Sequence, residues 1–206
     1  KRSFDFNWHF HAGSVEGASH KDFDHSSWEV VNIPHDWSIK GEYKKSNPVG
    51  QRGGFLPMGV GWYRKSFEWK PSWHGRLVKV HFDGIYMNSE VWINGHYLGK
   101  RPNGYVSFQY DLTPYLNRGE NVIVVKVDNS KVPSGRWYTG SGIYRHVWLK
   151  VLNPVHIPQW GVFVKTPRVT RDVARVDIQT DVESKKDAAG EITLETQLLD
   201  PKGNLE

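Results

Sequence analysis

From Trp62 to Val151 apolar and polar residues alternate with a period of two, and the pattern is cut every few residues by Gly, Pro or Asn. Helical periodicity is almost wholly lacking, so the chain must bury its apolar residues on sheet faces. Residues 77–83 put Val78, Val80 and Phe82 on one face and Lys79, His81 and Asp83 on the other. Residues 62–69 present Tyr63, Phe67 and Trp69 together. Asn94-Gly95 joins two short runs, 90–93 and 96–98, and is the strongest local hairpin signal a sequence offers. Residues 121–128 form a further strand. Residues 143–151 form another, with Ile143, Val147, Leu149 and Val151 inward beside the aliphatic stem of Arg145. Residues 111–116 read as a single helical turn or as a turn with Pro114 at its start. Many short strands joined by Gly- and Pro-rich turns predict an all-β sandwich.

The two ends extend this picture. Near the start, Phe4, Phe6, Trp8 and Phe10 share one face of an extended segment and are expected to cover a sheet. His9, His11, His20 and His25 lack the spacing and carboxylate support of a metal site, so they read as surface residues. After the break at Asn153-Pro154 and Pro158, residues 161–164, 174–182 and 191–199 alternate cleanly, with a turn at 185–187. Three such strands make about half of an immunoglobulin-like sandwich. The expected division is therefore 1–153 and 154–206, the second part truncated and the chain a fragment of something longer. A start at Lys1, without Met or an apolar leader, reads as a trimmed or mature form.

Composition removes some classes of partner. The net charge of +5 comes from scattered Lys and Arg, with Lys44-Lys45 and Lys185-Lys186 the only adjacent lysines, so a nucleic-acid stripe is not expected. A hydrophobic fraction of 38% without a long apolar run speaks against a membrane partner. There is no Cys, hence no disulfide and no thiolate metal site.

Two loops carry the candidate chemistry. The first, at 134–145, concentrates Arg136, Trp137 and Tyr138 among glycines. An indole can lie against the C–H face of a pyranose while a guanidinium donates to its hydroxyls; alternatively, Trp137 and Tyr138 plug the mouth of the sandwich. The second loop follows Pro34, which ends a strand and leaves His35, Asp36 and Trp37 off the ladder. A carboxylate beside an indole can hold sugar hydroxyls or cap a turn. Residues 38–61 form a long Gly-rich loop of the kind that usually serves function.

The runs Ile-Pro-His-Asp-Trp at 33–37, Gly-Trp-Tyr-Arg-Lys-Ser-Phe at 61–67, Phe-Asp-Gly at 82–84, Val-Trp-Ile-Asn-Gly at 91–95 and Ser-Gly-Ile-Tyr-Arg-His-Val at 141–147 resemble, in order, the amino-terminal region of glycoside hydrolase family 2, the β-galactosidase group. The resemblance covers essentially the whole chain. It implies a jelly-roll (galactose-binding-like) domain over 1–153, then an immunoglobulin-like β-sandwich, then a (β/α)8 barrel that this chain does not contain. It implies a retaining, exo-acting hydrolase whose acid and nucleophile are two glutamates about 5 Å apart on that barrel. No catalytic residue is therefore assigned here, and the chain alone is expected to be inactive.

By position, the loop after Pro34 matches one that hydrogen-bonds the non-reducing sugar. The resemblance thus implies substrate-binding roles for Asp36, with His35, and for Arg136, Trp137 and Tyr138 on the second loop. Asp36 would accept from two hydroxyls and Arg136 would donate to one. Some members have an acidic residue where this chain has Arg136. Residues 137–145 look most like β-galactosidases, so a β-galactoside and the barrel of the same polypeptide are the expected partners, with homo-oligomers known among relatives. No cofactor or metal ligand set is expected, and cytoplasm and periplasm both stay open. Two other readings remain: an autonomous carbohydrate-binding module, and a structural spacer with no direct role at the substrate.

Overall fold

The alternation is realised as facing antiparallel sheets. The computed structural model describes residues 1–131, 137–185 and 190–204, and the chain divides into two compact units, Lys1–Asn153 and Pro154–Glu206. In the first unit the strands are β1 (Arg2–Ser3), β2 (Trp8–Ala12), β3 (Glu29–Val31), β4 (Val60–Glu68), β5 (Leu77–Phe82), β6 (Ser89–Ile93), β7 (His96–Arg101), β8 (Phe108–Asp111), β9 (Glu120–Asp128) and β10 (Val147–Leu152). They form a four-stranded sheet in the order β1-β10-β5-β8 and a six-stranded sheet in the order β3-β2-β4-β9-β6-β7.

The spine of the larger sheet is the nine-residue pairing of β4 with β9, from Val60 opposite Asp128 to Glu68 opposite Glu120. With side chains alternating, that register sends Tyr63, Phe67, Ile123 and Val125 inward, against Val80, Phe82, Val147 and Leu149 of the smaller sheet. All eight are buried.

Three local expectations give way. Phe6 is 60% exposed although Phe4, Trp8 and Phe10 are buried, because Asn7 at φ 59° ends the extended run as the chain passes from one sheet to the other. The last strand of this unit begins at Val147, not Ile143. Gly142 meets Tyr86 in an isolated bridge, and Arg145 is exposed, its Cδ lying close to Gly84. The polar face of β5 is also closed over. Lys79 and His81 are both buried, His81 Nε2 lies 3.1 Å from Asp83 Oδ1, and Trp148 donates to Asp83 Oδ2.

The outer face of the six-stranded sheet has its own small core of Trp28, Trp62, Val122 and Val124, with Ala18 packed on it. The covering segment, residues 13–28, contains no strand or helix. What pins it is Arg64, fully buried on β4, which donates to the carbonyls of Ala18 (2.5 Å), His20 (2.9 Å) and Lys21 (2.8 Å) and stands over the Phe23 ring. One guanidinium thus satisfies three backbone acceptors that a strandless segment has no ladder to satisfy.

The second unit contains β11 (Val155–His156) paired with β14 (Glu183–Ser184), and β12 (Val162–Val169) paired with β13 (Ala174–Thr180). Residues 191–199, expected as a strand, carry no strand among the described residues; Leu199 alone makes an isolated bridge. Most of the turn expected at 185–187 lies outside the described residues.

Replacing Arg64 by Met keeps much of the stem but removes every donor. Because hydrogen bonds to a charged group contribute about 1.5–3 kcal/mol each, urea unfolding is expected to show a loss of about 3 kcal/mol or more. Limited proteolysis should cut first within residues 13–28. A loss below about 0.5 kcal/mol, the range of an ordinary surface change, would contradict this role.

Candidate functional site

Two chain segments about a hundred residues apart meet at one end of the first unit. The His35 N–H donates to the Ile143 carbonyl (2.8 Å) and the Trp37 N–H to the Ser141 carbonyl (3.2 Å), so the loop after Pro34 runs beside residues 141–143 as a short ladder. Asp36 closes the gap between them. Its Oδ1 accepts the Ser38 N–H at 3.0 Å and the Ser141 N–H at 2.9 Å, and its Oδ2 accepts the Tyr138 hydroxyl at 2.5 Å. Gly140 and Gly142 are required here. Gly140, at φ +75°, would bring a Cβ to 2.9 Å from Asp36 Oδ2; Gly142, at φ +126°, would bring one to 2.3 Å from the Tyr63 hydroxyl.

A second layer of hydrogen bonds backs the carboxylate. Ser38 Oγ donates to the Pro57 carbonyl (2.6 Å) and lies 2.5 Å from Ser141 Oγ, while Asn129 Nδ2 donates to that same Ser141 Oγ at 2.6 Å. Asn129 also accepts the Gly59 N–H at 2.9 Å and so ties in the far end of the Gly-rich loop. That loop carries 3-10 turns at Ser38–Lys40 and Gly50–Gly53. An open cleft of about 420 Å³ lies between the loops and the sheet end, lined by Trp37, Lys40, Pro57, Met58 and Phe10 among others.

The expected site residues separate by exposure. Asp36 is partly buried and Tyr138 is 41% exposed, so their hydrogen-bonded pair lies at the surface of the network. Burial first, and the Asp36 contact second, push the Tyr138 hydroxyl above the ordinary tyrosine pKa, so it stays protonated and donates. A carboxylate has about four acceptor positions. Three are already occupied in Asp36, which leaves one while Tyr138 stays in place. Trp137 is 61% exposed, and its indole N–H donates to the Tyr105 hydroxyl at 3.2 Å. Arg136 lies outside the described residues.

His35 faces inward. It is 8% exposed, its Nδ1 is 2.9 Å from the Tyr63 hydroxyl, and its ring packs against Phe10 at 4.8 Å. Its ring lies beneath the loop, with Nε2 buried and making no hydrogen bond. Burial, aided by the Lys40 charge, lowers its pKa. Among the described residues no group of three or more His, Cys, Asp or Glu is placed to hold a metal ion. Sequence reasoning missed Ser38, Tyr63, Tyr105 and Asn129. For Ser38 a signal existed, since Asp-x-Ser at 36–38 is an Asx-turn pattern; Tyr63 was read only as core, and nothing local marks Asn129 or Tyr105 as partners of these loops.

The family profile described as "Glycosyl hydrolases family 2, sugar binding domain" matches residues 2–153. A beta-galactosidase of Bacteroides ovatus is 45% identical over 204 residues, covering 98% of this chain and 24% of that protein. A beta-glucuronidase of Formosa agariphila is 28% identical over 225 residues, covering 98% and 23%. Among solved structures, a beta-glycosidase from Bacteroides vulgatus superposes with a TM-score of 0.91 at 47% identity, covering 98% of this chain and 26% of that one. The chain thus spans about a quarter of the length of these relatives.

The buried imidazole gives the site a pH signature. A histidine in the unfolded chain titrates near 6.5, and the folded state holds His35 below that value. Its contribution is therefore complete above about pH 6.5 and is lost as pH falls from there through the lowered folded pKa. His9 and His81 are shifted in the same direction, each mainly by burial. Urea unfolding free energies should decline below pH 6.5, and His35→Gln should make that decline shallower. A parallel decline in parent and variant would contradict the assignment.

Proposed function

The chain belongs to the glycosyl hydrolases of family 2, and from that premise we propose that it is the amino-terminal part of a retaining, exo-acting hydrolase, a β-galactosidase by preference. In this reading residues 1–153 are its jelly-roll sugar-binding domain and residues 154–206 the beginning of an immunoglobulin-like β-sandwich. The acid and the nucleophile are glutamates of a barrel elsewhere in the same polypeptide, and this chain alone does not turn over substrate. Its contribution is to hold the non-reducing sugar against that barrel.

The observation that carries the reading is the Asp36–Tyr138 pair. It is a carboxylate fixed by two backbone N–H groups and a phenol, at the surface of two joined loops, with one acceptor position left. A fixed acceptor of this kind fits a sugar hydroxyl, since the hydroxyl supplies the missing donor and no loop has to reorganise to receive it. Arg136 and Trp137 complete the substrate-binding set in this proposal, the guanidinium as a donor to the non-reducing sugar and the indole as a flat surface for the part of the substrate beyond it. His35 stands behind Asp36 as support. Relatives at 45% identity are named as a beta-galactosidase and as a putative beta-glucuronidase alike, so the preference for a galactoside rests on residues 137–145, whose form resembles β-galactosidases.

The test is hydrolysis of a chromogenic β-galactoside by the full-length polypeptide, by the 206-residue chain, and by full-length Asp36→Asn. Asparagine keeps Oδ1 for the Ser38 and Ser141 N–H groups but removes the charge facing the sugar. A charge-assisted hydrogen bond of about 1.5–3 kcal/mol corresponds to a loss in kcat/KM of about 10- to 100-fold. No activity is expected from the 206-residue chain. Full activity in Asp36→Asn would exclude a role at the substrate and leave the unit a spacer.

A further inference from the structure

The turn between β7 and β8 holds an aromatic ring in solvent with more restraints than an exposed side chain ordinarily has. Asn103 Oδ1 accepts the N–H groups of Tyr105 (2.8 Å) and Val106 (3.3 Å), and the Tyr144 hydroxyl donates to the Gly104 carbonyl at 2.9 Å. Gly104 is pressed against the Tyr86 ring so closely that an added Cβ would come within 2.2 Å of it. The same Tyr86 ring meets Tyr105 edge-on, with centroids 5.5 Å apart and planes at 61°. Tyr105 is nevertheless 51% exposed, beside Val106 at 60% exposed.

Its hydroxyl accepts the Trp137 indole N–H. That bond satisfies the edge of the indole and leaves its faces open, and Trp137 is itself 61% exposed. Tyr138, the next residue, sends its hydroxyl to Asp36 instead. Two consecutive side chains are thus claimed by two different loops, and each carries a distinct surface: a carboxylate–phenol pair on one side, a joined pair of open aromatic rings on the other. Rigid aromatics that lose little side-chain entropy on binding suit the C–H faces of sugar rings.

We propose that Tyr105 and Trp137 form a subsite for a second sugar, the unit attached to the one held at Asp36, so that the preferred substrate is an oligosaccharide and not a simple glycoside. The inference rests on the assignment of Asp36 to the first sugar. Trp137 supplies the stacking face, and Tyr105 is a positioning residue that fixes the indole plane and extends it.

The experiment compares two substrates in the full-length polypeptide: β-galactosyl fluoride, whose leaving group is a single atom, and a β-linked galactosyl trisaccharide. Tyr105→Ala is expected to raise KM for the trisaccharide about tenfold with kcat unchanged, and to leave the fluoride within twofold. Tyr105→Phe, which keeps the ring and its packing, should show a smaller rise of about threefold on the trisaccharide alone. Thermal unfolding of both variants is followed in parallel. Asp36→Asn, which should impair both substrates, separates the two layers of the argument. If Asp36→Asn impairs both while neither Tyr105 variant changes the ratio between substrates, the second subsite is wrong and the first stands. An equal loss on both substrates in Tyr105→Phe would likewise overturn it, as a general structural effect. If neither position affects either substrate, or the unsubstituted polypeptide hydrolyses neither, the wider reading fails with it.

Discussion

The Asp36 carboxylate is the interaction on which the functional end of this molecule depends. Two loops that share no strand converge there, and loop backbones must place their N–H groups somewhere. One oxygen takes two of them, from Ser38 and Ser141, and the other takes a phenol. Behind it Ser38, Ser141 and Asn129 hand on the same connection to Pro57 and Gly59. Without a small acceptor at position 36 these segments would be three independent loops.

The scaffold makes that meeting possible through register. The β4–β9 pairing runs unbroken over nine residues and delivers Gly59 and Asn129 side by side at its end, where the Asn129 N–H donates to the Gly59 carbonyl at 3.0 Å. Slipping the pairing by one residue would turn Tyr63 outward, and with it the hydroxyl that supports His35. Arg64, the next residue on the same strand, acts in the opposite direction by holding residues 13–28 to the outer face. The strand thus fixes the site from one side and closes a second small core from the other.

How much of this could be read from the sequence follows from how local each cause is. The sandwich was legible because alternation and the Asn94-Gly95 turn are properties of neighbouring residues, and the place of Asp36 on a loop was legible because a proline comes two residues before it. The exposure of Phe6 was not, since one left-handed residue, Asn7, interrupts the extended run beside it. That 191–199 would make only a bridge at Leu199 was not, because alternation says which residues share a face but not how far a ladder extends. The role of Tyr105 was invisible for a different reason: its partners Tyr86 and Trp137 come from separate segments, and nothing in a turn containing Asn103-Gly104 indicates that the tyrosine after it is held out to solvent on purpose. The burial of His35 was equally hidden, since a histidine directly after a proline reads the same whether its ring faces solvent or Tyr63.

The central claim is a preformed acceptor that receives one sugar hydroxyl without the loops reorganising. A crystal structure of the full-length polypeptide with galactose bound tests it most directly. The account predicts one galactose hydroxyl within hydrogen-bond distance of Asp36 Oδ2, with the Ser38, Ser141 and Tyr138 contacts to the carboxylate retained. A sugar bound away from Asp36, or one that reaches it only after Tyr138 has left and the two loops have parted, would contradict it.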